Sequence, residues 1–226
     1  MIQNRTAQLV WQSFFLGIAV VGIAASLGLF DMAFRWDFYI YFTNLSNYLC
    51  IAIITAQLIA TIKRSGNAPI SLSPVLKLAS LVGILVTFLI YNFLLAREPG
   101  RDPMRNFSAM SIILHVALPT LYLADWILFH KKGQIKWYHP LSALFLPAGY
   151  ILYLLIHAAI RHFDSSLLGF VGTQPLIYPY FFLNPETNGI LGVVRWCILL
   201  AIAFAALGYL FWGLDRLLSN IRNKRG

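Results

Sequence analysis

Residues Val75–Ala96 read VLKLASLVGILVTFLIYNFLLA, with Lys77 as the one charge. A run of about 20 mostly apolar residues is what an α-helix needs to cross the hydrocarbon core of a bilayer. Working outward from it, five more runs qualify: 9–30, 40–62, 107–129, 141–160 and 190–214. Each is far longer than a barrel strand, and none alternates apolar with polar. Composition agrees. Of 226 residues, 59% are hydrophobic and 11% charged, and mean hydropathy is +0.72, whereas a soluble domain carries about 25% charged residues. A soluble enzyme, a disordered tail and a nucleic-acid-binding module are thereby excluded. The expected fold is all-α: a polytopic membrane protein, residues 1–226 forming one integral membrane domain built as a six-transmembrane-helix bundle. The first run, preceded by Arg5, has the outline of a signal peptide, but its length favours a retained anchor.

The net charge of +9 is read as topology, because loops beside membrane helices carry Lys and Arg for orientation. On alternate sides of the six runs the 17 cations divide unevenly. Six lie on one side: Arg35, Arg97, Arg101, Arg105, Arg161 and Arg195. The rest flank the N-terminus, the 63–77 and 131–136 regions and the C-terminal tail. Lys77 is counted there as the foot of its helix. Both termini are expected in the cytoplasm. Cys50 and Cys197 sit in apolar runs and are too few for a disulfide framework.

The connection 161–189 is an outer hydrophobic loop between helices five and six. It holds apolar Leu167–Val171 and Tyr178–Leu183, broken by Pro175, Pro179 and Pro185. Exposed backbone cannot lie in lipid unsatisfied, so this segment is expected to cap the outer helix ends or dip between them. No internal repeat, glycine-rich phosphate loop or metal-ligand spacing is seen, and no cofactor or metal is expected.

Polar groups inside a membrane span are costly and face the bundle interior. Helix two carries Thr43, Asn47, Cys50, Gln57 and Thr61 on one stripe, with Asn44 and Ser46 beside it. Helix four carries Ser108, Ser111 and His115 on one face; helix five carries Tyr150, Tyr153, His157 and Arg161. Helix three adds Thr87, Tyr91 and Asn92. Four helices thus bring hydroxyls, amides and imidazoles to the outer third, whereas Gln57 and Asp125 are nearly alone in the inner half. Bland readings stand beside these. A helix threonine commonly bonds a carbonyl one turn back, His157 suits an interface, and Asp125 suits a headgroup or Lys131 and Lys132.

Four stretches, in order and spacing, resemble one family: Tyr41-Phe42-Thr43-Asn44-Leu45-Ser46-Asn47; His115 to Pro119 with Asp125-Trp126; Gly149-Tyr150-Ile151-Leu152 with His157; and Tyr178-Pro179-Tyr180-Phe181. The chain is similar to the androgen-induced protein family of transmembrane hydrolases and their six-helix bacterial relatives, over roughly residues 35–215. The resemblance implies a bacterial plasma membrane and hydrolysis of fatty acid esters of hydroxy fatty acids or similar lipids by an intramembrane threonine and histidine. These map onto Thr43 and His115, with the interval from His115 to the next proline one residue shorter than in animal members, as in the bacterial branch.

The chemistry is coherent with these residues. A threonine hydroxyl needs a base, and neutral imidazole serves. The developing oxyanion needs donors already in place; Asn47, Asn92, Tyr91, His157 and Ser111 are candidates for oxyanion or substrate binding, and Tyr178 and Tyr180 for lid or substrate binding. The expected partners are the membrane and a lipid ester, with no nucleic acid. The alternatives are a small permease, disfavoured by the absence of inverted repeats and of inner polar residues, and a lipid-binding protein without turnover. With Cys50 and Cys197 replaced, a cysteine at Asn67 should label from the cytoplasmic side only and one at Gly172 from the outside only; the reverse result inverts the orientation.

Overall fold

The computed structural model describes residues 2, 4–32, 34–35, 37–64, 70–97, 103–163 and 177–223. The apolar stretch 167–171, Pro175 and positions 67 and 172 lie outside the described residues. Six helices are long and apolar enough to cross a membrane, and no strand occurs among the described residues. The architecture is the expected all-α polytopic bundle.

The first span is α1 (Arg5–Ser26). Asn4 caps it, its side chain accepting from the Ala7 N–H, and Gly28 in the left-handed region ends it. This helix therefore begins and stops about one turn earlier than hydropathy placed it. The next two are α2 (Phe42–Lys63) and α3 (Pro74–Phe93), the latter started by Ser73 and by a proline whose missing N–H costs a first turn nothing. The fourth span is broken into α4 (Ala109–Ile112), a π turn over Ile113–Ala117, and α5 (Leu118–Phe129). A 3-10 turn at His139–Leu144 leads into α6 (Phe145–Phe163). The last helix, α7 (Pro185–Asn223), bends at Gly189, whose φ of 64° takes it out of helical geometry.

The central post is α3: 56% of its apolar window is buried, against 6% for α7 at the periphery. Helices approach closely where a side chain is missing. A Cβ on Gly22 of α1 would fall 2.7 Å from the Ile113 side chain in the π turn, a small-residue contact of the kind that lets membrane helices pack.

Two sequence readings are corrected in the inner half. Asp125 is buried and makes its ion pair with Lys77 rather than with Lys131 or Lys132. Its Oδ2 accepts from the Lys77 ammonium at 2.7 Å, and both side chains are 1% exposed. Lys77 is thus not a cytoplasmic foot charge; its Nζ also lies 3.4 Å from the centre of the Tyr122 ring. Nor is this half poor in polar groups. Tyr122 and Ser80 share a 2.7 Å hydrogen bond, and Gln12 is fully buried on α1. Lys132 instead donates to the Trp126 carbonyl and covers its ring.

A buried charge whose partner is deleted is far more costly than a buried apolar pair. Lys77→Met or Asp125→Leu alone should each lower stability in detergent by about 3–5 kcal/mol, while the double variant recovers most of that loss. Thermal unfolding of the three variants measures it; equal losses in single and double variants would contradict a closed pair.

Candidate active site

The outer end of α2 is fixed by side chains from distant helices. Tyr150 and Tyr153 of α6 donate to the carbonyls of Ile40 (2.8 Å) and Tyr39 (3.2 Å). Asn44 donates back to the Phe38 carbonyl at 2.7 Å. The first amides of a helix have no partner within it, and no side chain of Tyr41 caps α2. Tyr180, arriving from the segment before α7, fills that place. Its hydroxyl accepts from the Thr43 N–H at 3.4 Å and also engages the Phe42 N–H and the Thr43 hydroxyl. Thr43 is thereby held, buried, at the outermost turn of α2.

His115 sits in the π turn. Its Nδ1 lies 3.0 Å from the Ser111 carbonyl. A carbonyl can only accept, so Nδ1 carries the proton and Nε2 is left as the basic nitrogen. The ring stacks on Tyr91 with centroids 3.4 Å apart and planes 13° from parallel. The Tyr91 hydroxyl in turn donates to Asn106 Oδ1 at 3.0 Å and stands 2.5 Å from the Ser111 Oγ.

The π turn has a cause. The Leu118 N–H bonds to the Ile113 carbonyl, five residues back. Residue 119 is proline and has no N–H. The carbonyls of Leu114 and His115 therefore lack a main-chain donor from that position. Asn47 Nδ2 donates to Leu114 O (3.1 Å) and Asn92 Nδ2 to His115 O (3.3 Å). Each amide places its second proton on its own helix, Asn47 on Thr43 O at 2.8 Å and Asn92 on Phe88 O at 2.8 Å.

Thr43, Tyr91, Ser111, His115 and Tyr180 line one polar chamber of about 510 Å³. The expected oxyanion donors are not all available there. Both amide protons of Asn47 and of Asn92 are engaged on carbonyls, so their role is to hold the broken helix. The Tyr91 proton is directed at Asn106. His157 is buried apart from the chamber, against the rings of Tyr39 and Tyr153. Tyr178 is half-buried in the aromatic cluster around Ile40 and lines no cavity described here.

Sequence reading overlooked Ser26, Arg35, Asp37 and Tyr41, which share the chamber. Asp37 precedes α2 in the sequence. Its Oδ2 accepts from the Tyr41 hydroxyl at 3.3 Å, and burial together with that carboxylate raises the Tyr41 pKa. The four-residue spacing of Asp37 and Tyr41 ahead of α2 was the available signal. Burial likewise raises the pKa of Tyr180, holding it as the neutral phenol.

A second, narrow and apolar cleft of about 50 Å³ adjoins the chamber, walled by side chains such as Phe42, Val86, Ile90, Leu200 and Phe204. Thr43, Leu95 and Tyr180 line both cavities. Among the described residues no group of three or more His, Cys, Asp or Glu could hold a metal ion. Comparison with protein-family models, with curated proteins and with solved structures finds no match to this chain.

The double role of Asn47 makes a sharp test of this geometry. Asn47→Leu removes two donors from buried carbonyls and should lower stability by about 1–3 kcal/mol. Asn47→Asp, which presents only acceptors when ionised, should lower it further. Thermal unfolding in detergent compares the two; a neutral Asn47→Leu would show that the π turn stands without it.

Proposed function

We propose that this chain is an integral membrane hydrolase of lipid esters, with Thr43 as nucleophile and His115 as general base. The observation that carries it is the position of Thr43 at the junction of two cavities. On one side is the polar chamber it shares with His115. On the other is an apolar cleft with room for the first carbons of an alkyl chain. Ligand sites of this kind are mostly apolar with a few placed polar groups, and an amphipathic ester fits both halves with its carbonyl at the junction. Fatty acid esters of hydroxy fatty acids, the substrates implied by the sequence resemblance, have this form.

In the first step Thr43 Oγ1 bonds to the acyl carbon and its proton passes to His115 Nε2. The carbonyl electron pair moves onto oxygen. Collapse expels the alcohol oxygen, which takes the proton from His115. Water then attacks the acyl-threonine by the same route in reverse, with His115 again as base. Splitting one difficult displacement into two is what a covalent intermediate provides. We also place both termini in the cytoplasm of a bacterial plasma membrane. With Lys77 withdrawn into the bundle, the remaining Lys and Arg still outnumber those on the opposite side.

A small permease is the competing reading, and the buried Lys77–Asp125 pair supports it, since ionisable groups within spans mark ion and proton paths. Turnover decides between them. With a long-chain hydroxy-fatty-acid ester, Thr43→Ala and His115→Ala should each lower kcat by at least about 100-fold, and the double variant by no more than either, because residues acting as one unit do not add. Thr43→Ser should keep part of the rate, having the oxygen without the branch that fixes its rotamer. Parent-level hydrolysis by Thr43→Ala overturns the assignment and favours a lipid-binding or transport role.

A further inference from the structure

We propose that the Tyr180 hydroxyl is the oxyanion donor of this site, a catalytic role that rests on the hydrolase reading above. The first ground is the position of the group. Tyr180 lines both the polar chamber and the apolar cleft, as Thr43 does. A carbonyl placed for attack by Thr43 Oγ1 with its alkyl chain in the cleft has its oxygen beside the same junction. The phenol and the nucleophile are neighbours: the Tyr180 oxygen engages the Thr43 hydroxyl and lies 3.4 Å from its backbone nitrogen.

The second ground is the direction of the phenol proton. The oxygen of Tyr180 accepts from the Thr43 N–H at the outer end of α2. Its own O–H hydrogen is not used in that bond. Amides at a helix N-terminus carry partial positive charge, and donors placed on a phenol oxygen make its O–H a stronger donor in turn. The helix thus acts on the oxyanion through the tyrosine.

The third ground is that donors expected from the sequence are engaged elsewhere. Asn47 and Asn92 use both amide protons on carbonyls, and the Tyr91 proton goes to Asn106. Tyr180 is also held more rigidly than a lid would be. Its ring stacks on Phe182 with centroids 5.1 Å apart and meets Tyr41 and Tyr150 edge-on. A donor that does not reorganise during reaction is what oxyanion stabilisation requires.

The test compares parent, Tyr180→Phe and Thr43→Ala as full-length protein in detergent, with two probes. One is a long-chain trifluoromethyl ketone, to which Thr43 Oγ1 adds to leave an oxyanion; the other is an ether of the same length, which has no carbonyl. Removing one oxyanion donor typically costs about 10²–10³-fold in kcat. Tyr180→Phe should show that loss with KM little changed. It should weaken the ketone by a similar factor and leave the ether unaffected. A kcat within about threefold of the parent, or equal weakening of ketone and ether, overturns the donor role while Thr43 keeps its own. Parent-like turnover by Thr43→Ala, or no turnover by the parent, overturns the hydrolase reading itself. Should Tyr180→Phe fold poorly, a fluorotyrosine at position 180 keeps the packing and the O–H while making the phenol more acidic. Ketone affinity should then change with phenol acidity; an unchanged affinity overturns the proposal.

Discussion

Pro119 removes an amide from the middle of a membrane span, where no water stands ready to replace it. Much of the outer half of the molecule is arranged around that loss. The chain widens into a π turn, which is how α-helices commonly absorb such a defect near functional sites. Two exposed carbonyls are then met by Asn47 from α2 and Asn92 from α3. Those bonds tie three helices together at one depth and set His115 facing the chamber. The residue that would be called a helix breaker is thus the reason that the imidazole is available and the bundle is tight around it.

A second constraint works at the neighbouring helix end. The first amides of α2 are capped by a tyrosine more than 130 residues away in sequence, the Thr43 N–H meeting Tyr180 across 137 positions. Tyr150 and Tyr153 fix the chain just before that end. Position and capping come from the same aromatic cluster, so Thr43 is placed by the packing of α6 and the residues before α7 rather than by its own helix. A side chain so placed cannot shift without unpacking Tyr180, Phe182 and Leu183, all buried.

Much of the scaffold was legible because the bilayer leaves few solutions: six apolar runs give six helices, with ends displaced where Gly28 or Pro140 intervenes. Helical spacing put Thr43, Tyr91, Ser111 and His115 on faces that meet at one chamber. Spacing identifies a face, but not what a side chain does there. Asn47 and Asn92 lie on the expected faces, yet their protons point at carbonyls that only the π turn exposes. Asp37 lies before α2, where its four-residue spacing to Tyr41 was the one hint of its place. Lys77 was misread for a related reason. A cation near a helix foot ordinarily snorkels toward water, and nothing local to it shows that Asp125, 48 residues on, lies against it.

That separation has a consequence in time. Chains are synthesised at about 5–20 residues per second, so Asp125 emerges roughly 2–10 s after Lys77. During that interval α3 carries a charge with no counter-ion, and a lysine within a span is costly there. The nascent helix must sit shallow, with its ammonium at the interface, until α5 arrives and draws Lys77 inward. The central post of the bundle is thus seated only once α5 has been made, and α5 is the segment that seats it.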